Sequence, residues 1–339
     1  MSAAPWRGRL ESGLVSVWYG PRRRAWPLVP LSGLYALAVA LHRLPFRLGL
    51  RKAARLPVPV IVVGNLTVGG TGKTPLVIHL ARALATQGER PGILCRGYGG
   101  RARQWPQCVT PTSDPVEVGD EPVLIAQRTG LPVAAGPNRA RAAQLLLDAG
   151  CTVLLSDDGL QHHALARDVE IAVMDGARGF GNGLLLPAGP LRESARRLER
   201  VDAVVVQGAG CTPAHTAAFR MTLPLREACD LATRQERRPL GDFAGQPVHA
   251  VAGIGYPQRF FEALRAAGLT IVEHPFPDHY DYRPQDLAFA GDLPVLMTEK
   301  DAVKCARFAP ANAWFVPVSA ELTPSLEDWL RLRLRANNP

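Results

Sequence analysis

The stretch Gly64-Asn65-Leu66-Thr67-Val68-Gly69-Gly70-Thr71-Gly72-Lys73-Thr74-Pro75 decides how this chain is read. Before it, Val58–Val63 is an apolar run rich in β-branched residues, and after it Pro75–Gln87 is rich in Ala and Leu and meets a glycine stop at Gly88. Strand, glycine-rich turn and helix in this order are the setting of a phosphate-binding loop. Glycines 69, 70 and 72 let the backbone fold back so that successive N–H groups point at phosphate oxygens, and the helix N-terminus adds partial positive charge. Thr67, Val68, Gly69, Gly70, Thr71, Gly72, Lys73 and Thr74 are therefore the expected nucleotide cradle. Lys73 would bridge the outer phosphates and Thr74 would offer its hydroxyl to Mg²⁺. Pro75 costs little there, because an N–H in the first helical turn has no intrahelical partner. The pattern GxxxxGK[ST] has Gly where this chain has Thr67, so the match is imperfect.

A catalytic Mg²⁺ needs a carboxylate at the end of a neighbouring strand. The apolar Thr152–Ser156 followed by Asp157-Asp158 supplies one. Side chains alternate along a strand, so one aspartate is expected to meet the metal while the other shapes the site. Further strands are read at Gly92–Cys95, Glu170–Met174 and Ala203–Val206, with a helix at Arg139–Ala149, an alternation typical of βαβ units around a parallel sheet. A second, smaller α/β pattern follows Leu225, with strands at Val248–Ala252, Thr270–Val272, Val295–Thr298 and Trp314–Val318 and a helix near Gln258–Ala267. Pro324–Leu334 reads as a closing helix. The expected organisation is residues 1–55 as a basic, apolar segment, 56–225 as the phosphate-loop core and 226–339 as the smaller domain, whose last helix can pack back on the core.

The chain has 339 residues with 47% hydrophobic and 20% charged positions, an ordinary folded composition large enough for a sizeable core. Its net charge of +9 implies an anionic partner. Much of the excess, Arg22-Arg23-Arg24, Arg43, Arg47, Arg51, Lys52 and Arg55, flanks the uncharged Ala25–Leu41 stretch. Trp6, Trp18, Tyr19 and Trp26 lie among these cations, a mixture that suits the headgroup layer of a membrane. The apolar core Leu28–Leu41 is short for a bilayer crossing, so an interfacial helix is expected, with a buried core helix as the alternative. Six scattered cysteines form no CxxC pair and suggest a reducing cytoplasm, and no cleavable signal peptide is evident.

Several phosphate-loop classes remain to be separated. ATPases that dimerise over a signature lysine carry it where this chain has Val68. The guanine-reading [NT]-K-x-D pattern is met only loosely by Thr298-Glu299-Lys300-Asp301, with the wrong spacing. A nucleic-acid motor needs a basic channel, whereas here the basic excess surrounds an apolar segment. An ATP-dependent kinase is the leading class, and a membrane-associated regulatory ATPase is the alternative. Gly253-Ile254-Gly255 imitates a dinucleotide fingerprint but has Gln258 in place of its third glycine, and is discounted.

In order along the chain, the phosphate loop, Arg96-Gly97-Tyr98-Gly99, Gly119-Asp120-Glu121-Pro122, Asp157-Asp158-Gly159-Leu160-Gln161-His162, Leu186-Pro187-Ala188-Gly189-Pro190-Leu191-Arg192-Glu193, Pro277-Asp278-His279-Tyr280 and Thr298-Glu299-Lys300-Asp301 resemble the tetraacyldisaccharide 4′-kinases of lipid A synthesis. Leu160 departs from the pattern, where an aromatic residue is expected. The resemblance implies a phosphate-loop kinase fold and transfer of the ATP γ-phosphoryl group to the 4′-hydroxyl of a tetraacylated disaccharide 1-phosphate. It implies a site at the cytoplasmic face of the bacterial inner membrane, with the chain peripheral or monotopic. It places an Asp–His pair at Asp120 and His279, with Asp120 accepting the hydroxyl proton and His279 orienting or relaying it. The two lie in different domains, a separation from which substrate binding is expected to assemble the pair by closing the cleft. Asn65, Arg96, Glu121, Arg192 and Glu193 are candidate substrate contacts. Read without the resemblance, Asp120 is a helix cap and His279 a structural histidine; for Arg192-Glu193 a solvated charge pair stands beside the contact reading. The partners expected are the acylated disaccharide phosphate and the membrane surface, with neither nucleic acid nor an obligate protein.

Overall fold

The computed structural model describes residues 13–210, 213–214, 217–289 and 292–337, so Trp6 and Cys211 lie outside the described residues. Residues 13–18 form helix α1, and after a 3-10 turn at Arg22–Leu28 helix α2 runs over Val29–Arg47. There follow β1 (Val60–Gly64), α3 (Lys73–Thr86), β2 (Pro91–Cys95), β3 (Gln107–Val109), α4 (Pro115–Val118), α5 (Asp120–Thr129), β4 (Val133–Ala135), α6 (Arg139–Asp148), β5 (Val153–Asp157), β6 (Val169–Asp175), β7 (Ala203–Gln207) and β8 (Ala218–Thr222). The remainder contains β9 (Glu227–Asp230), β10 (Arg237–Pro239), β11 (Pro247–Ala252), α7 (Pro257–Ala266), β12 (Thr270–Pro275), β13 (Val295–Thr298), α8 (Glu299–Cys305), β14 (Ala313–Val316), β15 (Glu321–Thr323) and α9 (Leu326–Asn337).

Among the described residues the first sheet has nine strands in the order β15-β8-β7-β6-β1-β5-β2-β4-β3. From β8 to β4 every pairing is parallel, and an antiparallel strand closes each edge. Strand β1, Val-Ile-Val-Val-Gly, is buried at all five positions, as a central parallel strand covered on both faces must be. Its neighbour β5 pairs Val63 with Asp157, so the register delivers the Asp157-Asp158 pair beside the start of the phosphate loop. Helix α3 covers one face with Leu76, Leu80 and Leu84 on one stripe and Val77 and Ala81 beside it, all buried. Each of those leucines contributes roughly 1.5–3 kcal/mol of apolar burial. Leu160 is fully buried against Gly64, where a Cβ would come within 2.7 Å of its Cγ. Its departure from the family pattern is thus a matter of packing under β1.

The second sheet has the order β10-β9-β14-β13-β11-β12, with β14, β13, β11 and β12 parallel. Not all of residues 226–339 belong with it. Strand β15 pairs antiparallel with β8, and Leu326 and Leu330 of α9 are buried in the same core cluster as the leucines of α3. Helix α9 begins at Leu326, after the Thr323-Pro324 peptide, and not at Pro324 itself.

Helix α2 is longer than the charge-free stretch suggests. The segment Arg22–Phe46 spans 25 residues and contains an 18-residue window with a mean hydropathy of 1.4, long and apolar enough by length and composition to cross a membrane. Leu31, Leu34, Leu37, Leu41, Leu44 and Leu48 are exposed, as is Trp26. The opposite side is tied to the body: Ser32 Oγ donates to the Leu185 carbonyl at 2.8 Å, Tyr35 Oη to the Arg192 carbonyl at 3.1 Å, and Arg43 Nε to His163 Nε2 at 3.1 Å.

Candidate active site

The phosphate loop leaves β1 at Gly64 and enters α3 through Gly72, which sits at φ +86°. That left-handed conformation favours glycine, and a Cβ there would also meet Met221 Cε at 2.8 Å. The loop is braced from behind. Val68 N–H donates to the Pro190 carbonyl at 2.8 Å, Arg192 N–H donates to the Leu66 carbonyl at 2.7 Å, and Thr67 pairs with Leu191. Lys73 Nζ donates to Asn65 Oδ1 at 3.1 Å and lies 3.6 Å from Asp158 Oδ1, while Asn65 is itself buried. The Asn65 amide thus holds the lysine and is not an open substrate contact. Thr71 is buried and its Oγ1 has no hydrogen-bond partner.

Asp157 is the last residue of β5, and Asp158, in the turn after it at φ +48°, meets a different set of partners. Asp157 Oδ2 accepts from Thr74 Oγ1 at 3.3 Å, and its Oδ1 is buried with no partner. Burial, with Glu121 and Asp158 nearby, pushes the Asp157 carboxyl up to about 7, against the pull of Lys73 and Arg139. A carboxylate so placed, beside a threonine hydroxyl, suits a hard cation, and Thr74 with Asp157 fits Mg²⁺. Asp158 instead pairs with Arg192 at 2.9 Å and with Lys73. Burial opposes its charge, but these two cations outweigh burial and hold it down at about 2. Arg139, which the sequence reading passed over, is 2% exposed and donates from Nη2 to the Asp157 carbonyl at 2.7 Å. A buried arginine is legible only once the fold shows its depth.

The other wall of the cleft is assembled from distant segments. Asp120 opens α5 directly after Gly119, which sits at φ +94°, and is 5% exposed. Both of its carboxylate oxygens lie 3.1 Å from Nδ1 of His279, a residue on the loop after β12 at φ +56°. The structure therefore brings together the two residues expected to pair. Tyr98 covers the imidazole, with ring centroids 4.9 Å apart. Burial works against the Asp120 charge, but Lys300, the His279 hydrogen bond and Lys304 drive its pKa well below the usual carboxylate range. Burial also disfavours the His279 charge, yet the hydrogen bond to Asp120 raises its pKa in spite of nearby Lys300.

Lys300 is a residue that sequence reasoning missed as part of the site. Thr298 N-caps α8 by accepting from Asp301 N–H, and the fully buried Asp301 accepts the Gly253 N–H at 2.9 Å. With Thr298 and Asp301 turned inward, Lys300 faces the cleft and lies 3.1 Å from Glu121 and 3.2 Å from Asp278. In sequence the Thr298–Asp301 stretch reads as a family-like string and a failed guanine motif, and neither gives Lys300 a role. The discounted Gly253-Ile254-Gly255 turn has a role as well. A Cβ on Gly255 would lie 3.1 Å from Gly70 N and 3.3 Å from both Gly69 Cα and Asp278 Oδ2, so the second sheet presses its β11 loop onto the phosphate loop there. Arg259 of α7 adds an ion pair to Asp175 at the end of β6 and a 3.3 Å hydrogen bond to the Gly70 carbonyl.

The remaining expected residues separate. Arg96 is exposed at the end of β2, and Glu121 lies half-buried beside Lys300. Arg192 is at the site, but turned onto Asp158. Glu193 is 2% exposed and ion-paired with Arg43 of α2 and with Arg197, so it is not presented to a substrate; it ties α2 to the loop that braces Leu66–Val68. Adjacent in sequence, Arg192 and Glu193 turn to different partners, Arg192 to Asp158 and Glu193 to Arg43 and Arg197.

A phosphate loop after the central parallel strand, a carboxylate beside its threonine, and an Asp–His pair facing them from a second sheet define a phosphate-loop phosphotransferase. Comparison with known proteins narrows the class. Residues 24–335 match the family model of the tetraacyldisaccharide-1-phosphate 4′-kinases. The chain is 54% identical over 317 residues to the tetraacyldisaccharide 4′-kinase of Alkalilimnicola ehrlichii, covering 93% of this chain and 94% of that one. It is 53% identical over 316 residues to that of Nitrosococcus oceani, covering 93% and 92%. The crystal structure of LpxK from Aquifex aeolicus in complex with ATP matches with a TM-score of 0.77 and 30% identity, over 92% of this chain and 98% of that one. The chain belongs to the tetraacyldisaccharide-1-phosphate 4′-kinase family.

Proposed function

We propose that this chain transfers the γ-phosphoryl group of ATP to the 4′-hydroxyl of a tetraacylated glucosamine disaccharide 1-phosphate, a step of lipid A synthesis. The observation that carries this reading is the juxtaposition of the Lys73–Thr74–Asp157 cradle with the Asp120–His279 pair, joined where Gly255 meets Gly69 and Gly70. A regulatory ATPase has no need of a carboxylate–histidine pair aimed at its triphosphate site.

Thr74 and Asp157 would hold Mg²⁺, which when bound neutralises charge on the outer phosphates. Lys73, released from Asn65, follows the charge that develops on the transferring group, and the loop amides do the same from the other side. As the hydroxyl oxygen forms its bond to the γ-phosphorus, the bond to the β-phosphate oxygen breaks, the hydroxyl proton passes to the Asp120 carboxylate and ADP departs. Asp120 is a weak base, held ionised by its cations. That suffices, since in a loose transition state the proton leaves late. Arg192, fixed by Asp158, is placed to contact a substrate phosphate by its remaining N–H groups.

The lipid reading also accounts for α2. Its leucines would enter the lipid layer of the cytoplasmic membrane face while Ser32, Tyr35 and Arg43 keep the helix flat against the body, which makes the chain monotopic. Replacing Leu34, Leu37 and Leu41 by Lys is expected to cut co-flotation with anionic phospholipid vesicles about tenfold or more with the fold intact; undiminished flotation would count against this placement.

Thin-layer separation of lipids after incubation with γ-labelled ATP tests the reaction. Label is expected on the disaccharide acceptor. Hydrolysis to free phosphate with no labelled lipid would overturn the kinase reading in favour of the ATPase.

A further inference from the structure

Lys300 is packed between three elements. Its ammonium lies 3.1 Å from Glu121 Oε1 on α5, 3.2 Å from Asp278 Oδ1 and 3.4 Å from Nε2 of His279 on the loop after β12, and 4.0 Å from Asp120 Oδ2. An ammonium has donors and no acceptor, so a hydrogen bond from it to Nε2 requires that atom to carry the lone pair. The remaining imidazole proton is then on Nδ1, where it donates to Asp120. We infer that Lys300 is a positioning residue for the phosphoryl transfer, fixing His279 as the Nδ1–H tautomer with its donor on Asp120. This rests on the kinase reading and deepens it.

The alternative state makes the consequence plain. If Nε2 were protonated, two cations would face each other at that separation in a partly dry cleft, a repulsion that water screens poorly. The imidazolium would also clamp the Asp120 carboxylate as a full ion pair and make it a poorer proton acceptor. Groups facing His279 are Asp120, Asp278, Lys300 and the Tyr98 ring; those facing Lys300 include Glu121, Asp120 and Asp278. Only Lys300 among these favours the neutral ring. Lys304, also 4.0 Å from Asp120, is engaged with Asp301 at 3.0 Å.

The test is the pH dependence of kcat for Lys300→Met, Lys300→Gln and Lys300→Arg, alongside NMR titration of the His279 ring, assigned with His279→Gln. Removing the charge in Lys300→Met is expected to move the acidic limb, and the His279 titration with it, upward by roughly one to three pH units. At neutral pH kcat should then fall about tenfold or more and recover toward alkaline pH, with KM for ATP little changed. Lys300→Gln should shift the limb in the same direction, and Lys300→Arg should leave it at the wild-type position. A uniform loss at every pH with an unmoved His279 titration would make Lys300 only a bridge between the two walls and overturn the inference. Should Lys300→Met fail to fold, the glutamine variant and its titration decide by the same criterion. If the wild-type enzyme labels no lipid the kinase reading fails, whereas the ring titration still reports whether Lys300 governs His279.

Discussion

The phosphate-loop wall of the cleft draws its groups from consecutive residues, Asn65 to Thr74, whereas the facing wall joins Asp120 to His279 across 159 positions of sequence and adds Lys300 from a third element. The first wall is mostly backbone, amides and a helix N-terminus, with Lys73 held by Asn65 within the loop and Thr74 by Asp157 at the end of the neighbouring strand. The second is a buried network of charges, in which no member has its protonation state alone. The difference teaches where each wall is fragile. A local loop fails when one of its own groups is removed, while the assembled wall fails when any of the contacts that bring its parts together is disturbed.

Lys73→Ala breaks the local wall outright. Because the transferring phosphoryl group loses the cation that follows its charge, kcat for label transfer is expected to fall by about 10³-fold or more, and near-normal turnover would refute the cradle. Asp120→Asn strikes the assembled wall. The isosteric amide accepts no proton, so kcat should fall about 10²- to 10⁴-fold while KM for ATP, measured in the same assay, stays within about twofold. An unchanged rate would remove Asp120 from the proton-transfer role. Gly255→Val probes the seam, with the smallest of the three effects. Its Cβ must displace the Gly69–Gly70 backbone or the Asp278 carboxylate, costing about 1–3 kcal/mol that opening of the cleft can relieve. The expected outcome is a loss in kcat/KM for ATP of about tenfold with a shift of only a few degrees in the thermal midpoint. Full activity would mean that contact between the walls at Gly255 is not required.

Much of the first wall was legible beforehand because its determinants are short-range. An apolar run, three spaced glycines and a Lys-Thr pair specify strand, turn and helix start within a dozen residues, and the register of β1 with β5 then had little freedom in placing Asp157. Strands at or next to the sheet edges were missed: β3, β4, β10 and β15 have three residues each and β9 four, too short for a period to show, and β8, with five, was missed as well. Glu193 was misread for a different reason: its sequence neighbours announce a polar loop, and only the docking of α2 shows that Arg43 covers it.

What the sequence determined by itself was the phosphate loop, the parallel α/β core around it and, through strings scattered in a constant order, the family. Tertiary structure alone decided that Asp157 goes to Thr74 and Asp158 to Lys73 and Arg192, that Gly255 is the point where the second sheet meets the loop, and that Lys300 lies against His279. The physical reason is that local motifs are encoded by backbone conformation and periodicity. Burial, ion pairing and the protonation of a histidine depend instead on which distant groups the fold carries into one low-dielectric cleft.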